Sequence, residues 1–337
     1  MNLLVTGGAG FIGSHTVIEL INAGHRPIII DNFSNSEPFI IERLKKITGK
    51  KIISYVFDYG IKDKTREIIE KEKIDGVVHF AAFKQVGKSV EVPLKYYSNN
   101  VSNLINLLAL VQECLVKYFV FSSSCTVYGE PDSLPLTEDS PIKAPTSPYG
   151  STKQMGENIL RDTTRTSQQL RSISLRYFNP IGAHPSALIG ELPIGVPANL
   201  VPFITQTAAG IRKSLTVHGN DYPTPDGTPI RDYIHVIDLA RAHVGAIEYL
   251  IDKNPCFYDV FNIGTGQGSS VLEVINTFET VTGIKLNYSI GARRNGDTSA
   301  VYASVNKAHK QLGWKAKETL SSSLADAWRW QKSLGKV

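Results

Sequence analysis

Cysteine is scarce: Cys114, Cys125 and Cys256 are the only three in 337 residues. None falls in a Cys-x-x-Cys pair or beside a histidine at ligand spacing. A disulfide framework and a structural zinc site are disfavoured, and a reducing, cytoplasmic setting fits best. His15, His79 and His184 also lack metal-like spacing, so no metal is expected. No apolar run is long enough to span a membrane. The amino terminus has no basic start, apolar stretch and small-residue cleavage site, so a soluble protein without membrane partners is expected. Charge of one sign is not in large excess either. The formal net charge is +5, and its one small cluster, Lys45, Lys46, Lys50 and Lys51, reads as a solvated loop rather than a nucleic-acid stripe. Internal repeats are missing too. With 42% apolar and 20% charged residues, the composition excludes a disordered chain.

What is present is an alternation. Short runs rich in β-branched residues at 3–6, 27–31, 52–58, 76–81, 118–122 and 172–176 are separated by helix-compatible stretches at 14–23, 62–73, 97–114 and 149–166. That pattern predicts an α/β fold with a Rossmann-like, doubly wound parallel sheet. Beyond about residue 179 Gly and Pro become frequent, as in loops built over the carboxyl ends of such a sheet. The expected division is a cofactor domain over 1–180 and a smaller substrate domain over 181–337, with some later segments returning to the sheet.

Directly after the first strand, Gly7, Gly10 and Gly13 open the first helix. Glycines there permit a tight turn and close approach of backbone to a pyrophosphate at a helix amino terminus. The spacing is three-and-three rather than the two-and-three of the dehydrogenase fingerprint. Asp31 ends the second strand at the expected distance. Its carboxylate suits a ribose 2′-hydroxyl and would repel a 2′-phosphate, which predicts NAD as cofactor. Further along, Tyr149 and Lys153 lie one helical turn apart on one face. A nearby ammonium at an effective dielectric of about 20 is worth roughly 3 kcal/mol, or about two pK units, to a phenolate. Lys153 and an oxidised nicotinamide could therefore bring Tyr149 towards working pH. The fifth strand ends in a serine run, so a hydroxyl from Ser124 can hold the same substrate oxygen.

With these motifs, the segments 123–129, 147–151, 176–180, 182–185, 219–223 and 231–236 make the chain similar, nearly end to end, to the UDP-glucose (UDP-galactose) 4-epimerases of the extended short-chain dehydrogenase/reductase superfamily. The resemblance implies that NAD is contacted by Phe11, Ile12, Asp31, Asn32, Phe33, Ser34, Asn35, Ser36, Asp58, Tyr59, Phe80, Ala81, Ala82, Lys84, Asn99, Ser122, Tyr149, Lys153, Tyr177 and Phe178. It implies that a UDP-sugar is met by Ser124, Tyr149, Asn179, Asn199, Leu200, Thr216, Val217, His218, Arg231 and the 294–297 segment, Arg294 and Asp297 included. Planar, permanently charged Arg231 and Arg294 suit a diphosphate. Two positions depart from the family pattern: His218 stands where an aromatic ring such as Phe is expected, and Ala82 replaces a common Gly.

The implied chemistry is inversion of C4 through a 4-keto sugar, after hydride transfer to NAD and rotation of the hexose. Val301, four residues after Asp297, occupies the position that the resemblance sets beside the C2 substituent. Its small size implies acceptance of UDP-N-acetylhexosamines as well as plain hexoses, unless a one-residue slip brings Tyr302 to the wall. A homodimer through the helices at 99–114 and 149–166 is also implied. Rival readings are a nucleotide-sugar dehydratase, a decarboxylase and a non-catalytic NAD-sensing protein. The first is disfavoured because Cys125 and Thr126, not carboxylates, follow Ser124.

Overall fold

All six expected strands of the first half form, and side-chain alternation explains how. The computed structural model describes residues 1–294 and 297–335; Asn295 and Gly296 of the expected 294–297 segment lie outside the described residues. Strands β1 (Asn2–Thr6), β2 (Arg26–Asp31), β3 (Ile53–Val56), β4 (Gly76–His79), β5 (Tyr118–Ser122) and β6 (Arg171–Tyr177) are parallel neighbours. Four short strands follow, β7 (Asn179–Ile181), β8 (Leu215–His218), β9 (Ile230–Arg231) and β10 (Tyr233–His235). Then β11 (Tyr258–Ile263) returns to pair with β6, giving a seven-stranded sheet in the order β11-β6-β5-β4-β1-β2-β3.

Both faces of the sheet are covered, so its strands read as nearly unbroken apolar runs. Leu3, Val5, Ile29, Val78 and Val120 pack under α1 (Phe11–Asn22) and α2 (Phe39–Thr48) on one face, while Leu4, Ile28, Ile30 and Val77 face the other way. The second face is covered by α3 (Lys62–Lys71), and past α4 (Val86–Glu91) and α5 (Pro93–Tyr97), by α6 (Asn103–Glu113) and α7 (Pro148–Thr166). A separate core of Val201, Ile204, Val217, Phe278, Leu324 and Trp328 lies outside the sheet. It involves α8 (Leu200–Ala208), and beyond the sheet-covering α9 (Val236–Ile251), α10 (Val271–Thr282). Past α11 (Asn306–Leu312), α12 (Leu320–Ser333) completes it. Three small sheets hold the remaining strands: β7 with β10, β8 with β13 (Tyr288–Gly291), and β9 between β12 (Ser269–Ser270) and β14 (Ala300–Val301).

Several boundaries differ from the sequence expectation. The first helix begins at Phe11 rather than Ser14, because Gly10 takes an extended ψ of 174° and serves as its cap. The strand expected over 52–58 stops at Val56, since Asp58 turns the chain by accepting the Gly60 amide. Residues 80–81 leave the sheet to approach Gly7. The stretch 97–114 is not one α-helix: a π-helical turn, Ser98–Ser102, interrupts it. Among the described residues no helix is long and apolar enough to cross a membrane, and no group of side chains is arranged to hold a metal ion.

Candidate active site

The glycine turn is tighter than spacing alone reveals. Gly7 has φ +71°, and a Cβ there would sit 2.9 Å from the Ala81 amide nitrogen. One on Gly13 would sit 2.3 Å from the Gly7 carbonyl oxygen. Gly10 donates its amide to Gly7 O at 3.1 Å. The first turn of α1, with Phe11 and Ile12, thus lies against bare backbone, and its free N–H groups are an anion site. Asp31 is buried at the end of β2, accepting Ala9 N on Oδ2 (3.0 Å) and Phe33 N and Ser36 Oγ on Oδ1 (2.9 Å each). Asn32 reaches from this loop to Asp58 Oδ2 at 3.1 Å, whereas Ser34 and Asn35 are exposed. Tyr59 is buried and donates to the Asn99 carbonyl (2.9 Å). Phe80 continues β4 past the sheet, its amide bonded to Thr6 O. The residues present fit a dinucleotide: a backbone cradle that a Cβ would fill, and a carboxylate that forms no ion pair among the described residues and would repel a 2′-phosphate.

Helix α7 supplies the reactive pair. Ser147 caps it, accepting the Gly150 amide, and Ser89 of α4 accepts the Tyr149 amide. Tyr149 and Lys153 both face the sheet and are buried. Lys153 Nζ donates to Ser122 O at 2.5 Å and lies 5.8 Å from the Tyr149 ring centre. Ser122 Oγ contacts the Tyr177 hydroxyl. Ser124, also buried, follows the strand, and hydrogen bonding with it works to lower the Tyr149 phenol. Burial pushes the Tyr149 phenol above its ordinary value, and the hydrogen bond with Ser124 does not offset it. Burial pulls the Lys153 ammonium down to about 7. Desolvation dominates both groups, so within the chain alone the phenol stays protonated at neutral pH.

The expected sugar-nucleotide residues lie on the loops and small sheets of the second half. Asn179 in β7 bonds through its amide to Asp232 O, and Phe178 joins a small core with Val127, Tyr128 and Leu136. Asn199 precedes Leu200 at the start of α8, donating to Glu191 Oε1 (2.7 Å), which also accepts Lys84 Nζ (3.1 Å). On β8, Thr216 is exposed, Val217 is buried, and half-buried His218 bonds through Nδ1 to Ala292 O at 3.3 Å. Arg231 is largely buried and paired with Asp297, while Arg294 is exposed. Val301 in β14 lies in register with Arg231 and packs on the core that Cys125 and Phe178 also join. Tyr302 faces the other way, towards Gly268, where a Cβ would meet its ring at 3.3 Å. Half-buried Ala82 lies between the Ala81 approach and Phe83.

Sequence reasoning missed Ser89, Glu191 and Asn100. Asn100 is buried in the π-helical turn and clamps the loop that carries Ala82 and Lys84. Its side chain binds Phe83 N and O (2.9 and 3.0 Å) and donates to Thr152 Oγ1 of α7 (3.2 Å). Its sequence setting, the polar run Ser98 to Asn103 broken only by Val101, gives no signal for it. Cys125 cannot serve as a base beside Ser124, since burial pushes its thiol up to about 11.

Comparison with known proteins extends this geometry. The family model described as GDP-mannose 4,6 dehydratase matches residues 4–327. The UDP-glucose 4-epimerase of Bacillus subtilis (strain 168) is 48% identical over 333 residues, covering 99% of this chain and 97% of that protein. The solved UDP-glucose 4-epimerase of Stenotrophomonas maltophila, with NAD and formylated UDP-arabinopyranose bound, superposes with a TM-score of 0.96 at 46% identity, covering 99% of this chain and 98% of that one. That of Bifidobacterium longum, in complex with NAD+ and UDP, gives 0.95 at 47% identity, covering 99% and 98%.

Proposed function

The chain belongs to the UDP-glucose 4-epimerases, and from that premise we propose that it inverts C4 of UDP-hexoses through a 4-keto sugar, using an NAD it retains. The observation that carries this reading is the buried Tyr149/Lys153 pair of α7 facing the serine end of β5, with Lys153 Nζ on Ser122 O at 2.5 Å. NAD would be held by the Gly7–Gly13 turn, by Asp31 and by the Phe80–Lys84 loop, and when bound it supplies the acceptor and then the donor of hydride. Tyr149 takes the proton of the C4 hydroxyl and returns it after the hexose has turned, and Ser124 holds that oxygen. Lys153 supports the phenolate. Because burial alone keeps Tyr149 protonated, a second cation at the site is needed to make it a base, which ties proton removal to a loaded cofactor. Arg231 and Arg294 hold the diphosphate, with His218 beside the base.

The finer substrate range follows from Val301. Its short side chain packs in the small core with Cys125 and Phe178, and this small size supports acceptance of UDP-N-acetylglucosamine. A dimer through α6 and α7 is supported by apolar Ile105 and Met155, both exposed, and a cytoplasmic location by the free cysteines. The test is Tyr149→Phe. The variant should fold and keep NAD while losing epimerisation of UDP-galactose by about three orders of magnitude or more. Turnover within about tenfold of the parent refutes the role given to the phenol.

A further inference from the structure

A buried pair of opposite charges lies beside the site and takes no part in the chemistry above. On α7, residues 149, 153 and 157 fall on one stripe, and all three are buried. The third is Glu157. Its Oε1 accepts Ser123 Oγ (2.5 Å) and Arg176 Nε (2.9 Å), and its Oε2 accepts Arg176 Nη2 (2.7 Å). Glu157 and Arg176 side chains are 8% and 7% exposed. Arg176 Nη1 donates in turn to the Tyr128 hydroxyl (3.1 Å), which donates to Asn262 Oδ1 (2.6 Å).

Stability does not by itself explain such a pair, since apolar side chains of similar volume often serve as well or better. Its geometry does more. Ser123 lies between Ser122, whose carbonyl holds Lys153, and Ser124. Arg176 directly precedes Tyr177, which contacts Ser122. One carboxylate therefore joins α7, which carries Tyr149 and Lys153, to the end of β5 beside Ser124 and to the end of β6. We infer that Glu157 is a positioning residue for the reaction: clamped on Ser123 and Arg176, it sets Ser124 in register with Tyr149 and Lys153. The inference rests on the epimerase reading of this site.

Charge supports the same role. Glu157 opposes the burial that pulls the Lys153 ammonium down. Titratable groups around Glu157, Arg176 and Lys153 include Tyr149 on the same helix, His79 of β4, Tyr177 of β6, Tyr258 of β11, Tyr128, Cys125 and Glu138, whose backbone carbonyl accepts Arg176 Nη1. Burial holds His79 neutral and raises the four phenols and the thiol, and it raises the Glu138 carboxyl as well, on the Arg176 side of the pair.

The test is the pH profile of kcat and KM on UDP-galactose for the parent, Glu157→Gln, Glu157→Asp and Ser123→Ala, each loaded with NAD. Glu157→Gln should lower kcat about tenfold or more with KM within about threefold. Its profile should slide to lower pH by about one unit, because removing an anion favours deprotonation of Lys153 and Tyr149 alike. Glu157→Asp keeps the charge and should keep the profile in place while kcat falls. A folded Glu157→Gln with an unmoved profile overturns the inference, whatever its kcat. Should that variant not fold, Ser123→Ala decides: it loses the clamp without leaving a buried charge unpaired, and parental kcat in it overturns the inference as well. A parent inactive on UDP-galactose fails the functional reading before any variant is compared, and the inference falls with it.

Discussion

Replacing Gly13 with alanine should strip the protein of its cofactor while leaving it folded. The added Cβ would lie 2.3 Å from Gly7 O, 2.9 Å from Gly8 Cα and 3.0 Å from Gly7 C. All three are backbone atoms of the turn, so no flexible side chain can give way, and the start of α1 must back off by roughly 1 Å to restore ordinary contact. Overpacking of that kind costs about 1–3 kcal/mol of stability, which a domain of this size survives. Binding loses more. The shift moves the free N–H groups of the first turn away from the pyrophosphate, and each hydrogen bond to a charged group is worth about 1.5–3 kcal/mol, or roughly ten- to a hundredfold in Kd. Losing two should weaken NAD by about 10²- to 10⁴-fold. Nucleotide released per protomer on denaturation, together with a titration of the stripped protein, reads this directly. Gly24→Ala is the matched control: its φ of +81° makes alanine strained, but nothing lies within 4 Å of the new Cβ. That variant should lose stability and keep NAD. A Gly13→Ala protein with parental NAD content and a Kd within about threefold of the parent would refute the argument from close backbone approach.

Val301→Tyr should remove activity on UDP-N-acetylglucosamine by about tenfold or more and spare UDP-glucose, since a ring at this wall clashes with an acetamido group; a parent inert on the acetylated sugar sinks the proposed range. Stripped of NAD, the protein should gain thermal stability between pH 7 and pH 9. Lys153 is lowered to about 7 when folded, so above that pH the unfolded chain binds the extra proton and stability rises with pH until the unfolded lysine titrates. The rise should vanish in Lys153→Met, and a melting temperature that falls across this window in the parent contradicts the assignment. Sedimentation at micromolar concentration should show a dimer that Ile105→Glu with Met155→Glu converts to monomer; a monomeric parent ends that proposal.

The cofactor side was legible because its signals are local. Glycines after an apolar run and an acidic residue ending the next one act within a few residues of where they stand, and strand patterning follows from burial on both faces. The second half was not, because two- and three-residue strands such as β9, β12 and β14 are defined by partners far along the chain and carry no period of their own. The break at Ser98–Ser102 is hidden for the same reason: within it Asn100 bonds to the Phe83 backbone, a contact invisible to helical periodicity. Spacing places Tyr149 and Lys153 together but carries nothing on the desolvation that dominates both groups, because it reports proximity and not burial. Glu157 could have been found as the next residue on that stripe. Its partner Arg176 could not, because the pairing arises only when β6 is laid beside β5.

The late return of β11 to the edge of the main sheet bears on how the polypeptide emerges during synthesis. Roughly eighty residues separate the end of β6 from β11, and at about 5–20 residues per second the ribosome needs several seconds to deliver them. Throughout that interval β6 is an unpaired edge, open to pairing with another nascent chain. Premature termination anywhere between residues 178 and 257 should therefore yield aggregates rather than a shortened nucleotide-binding protein.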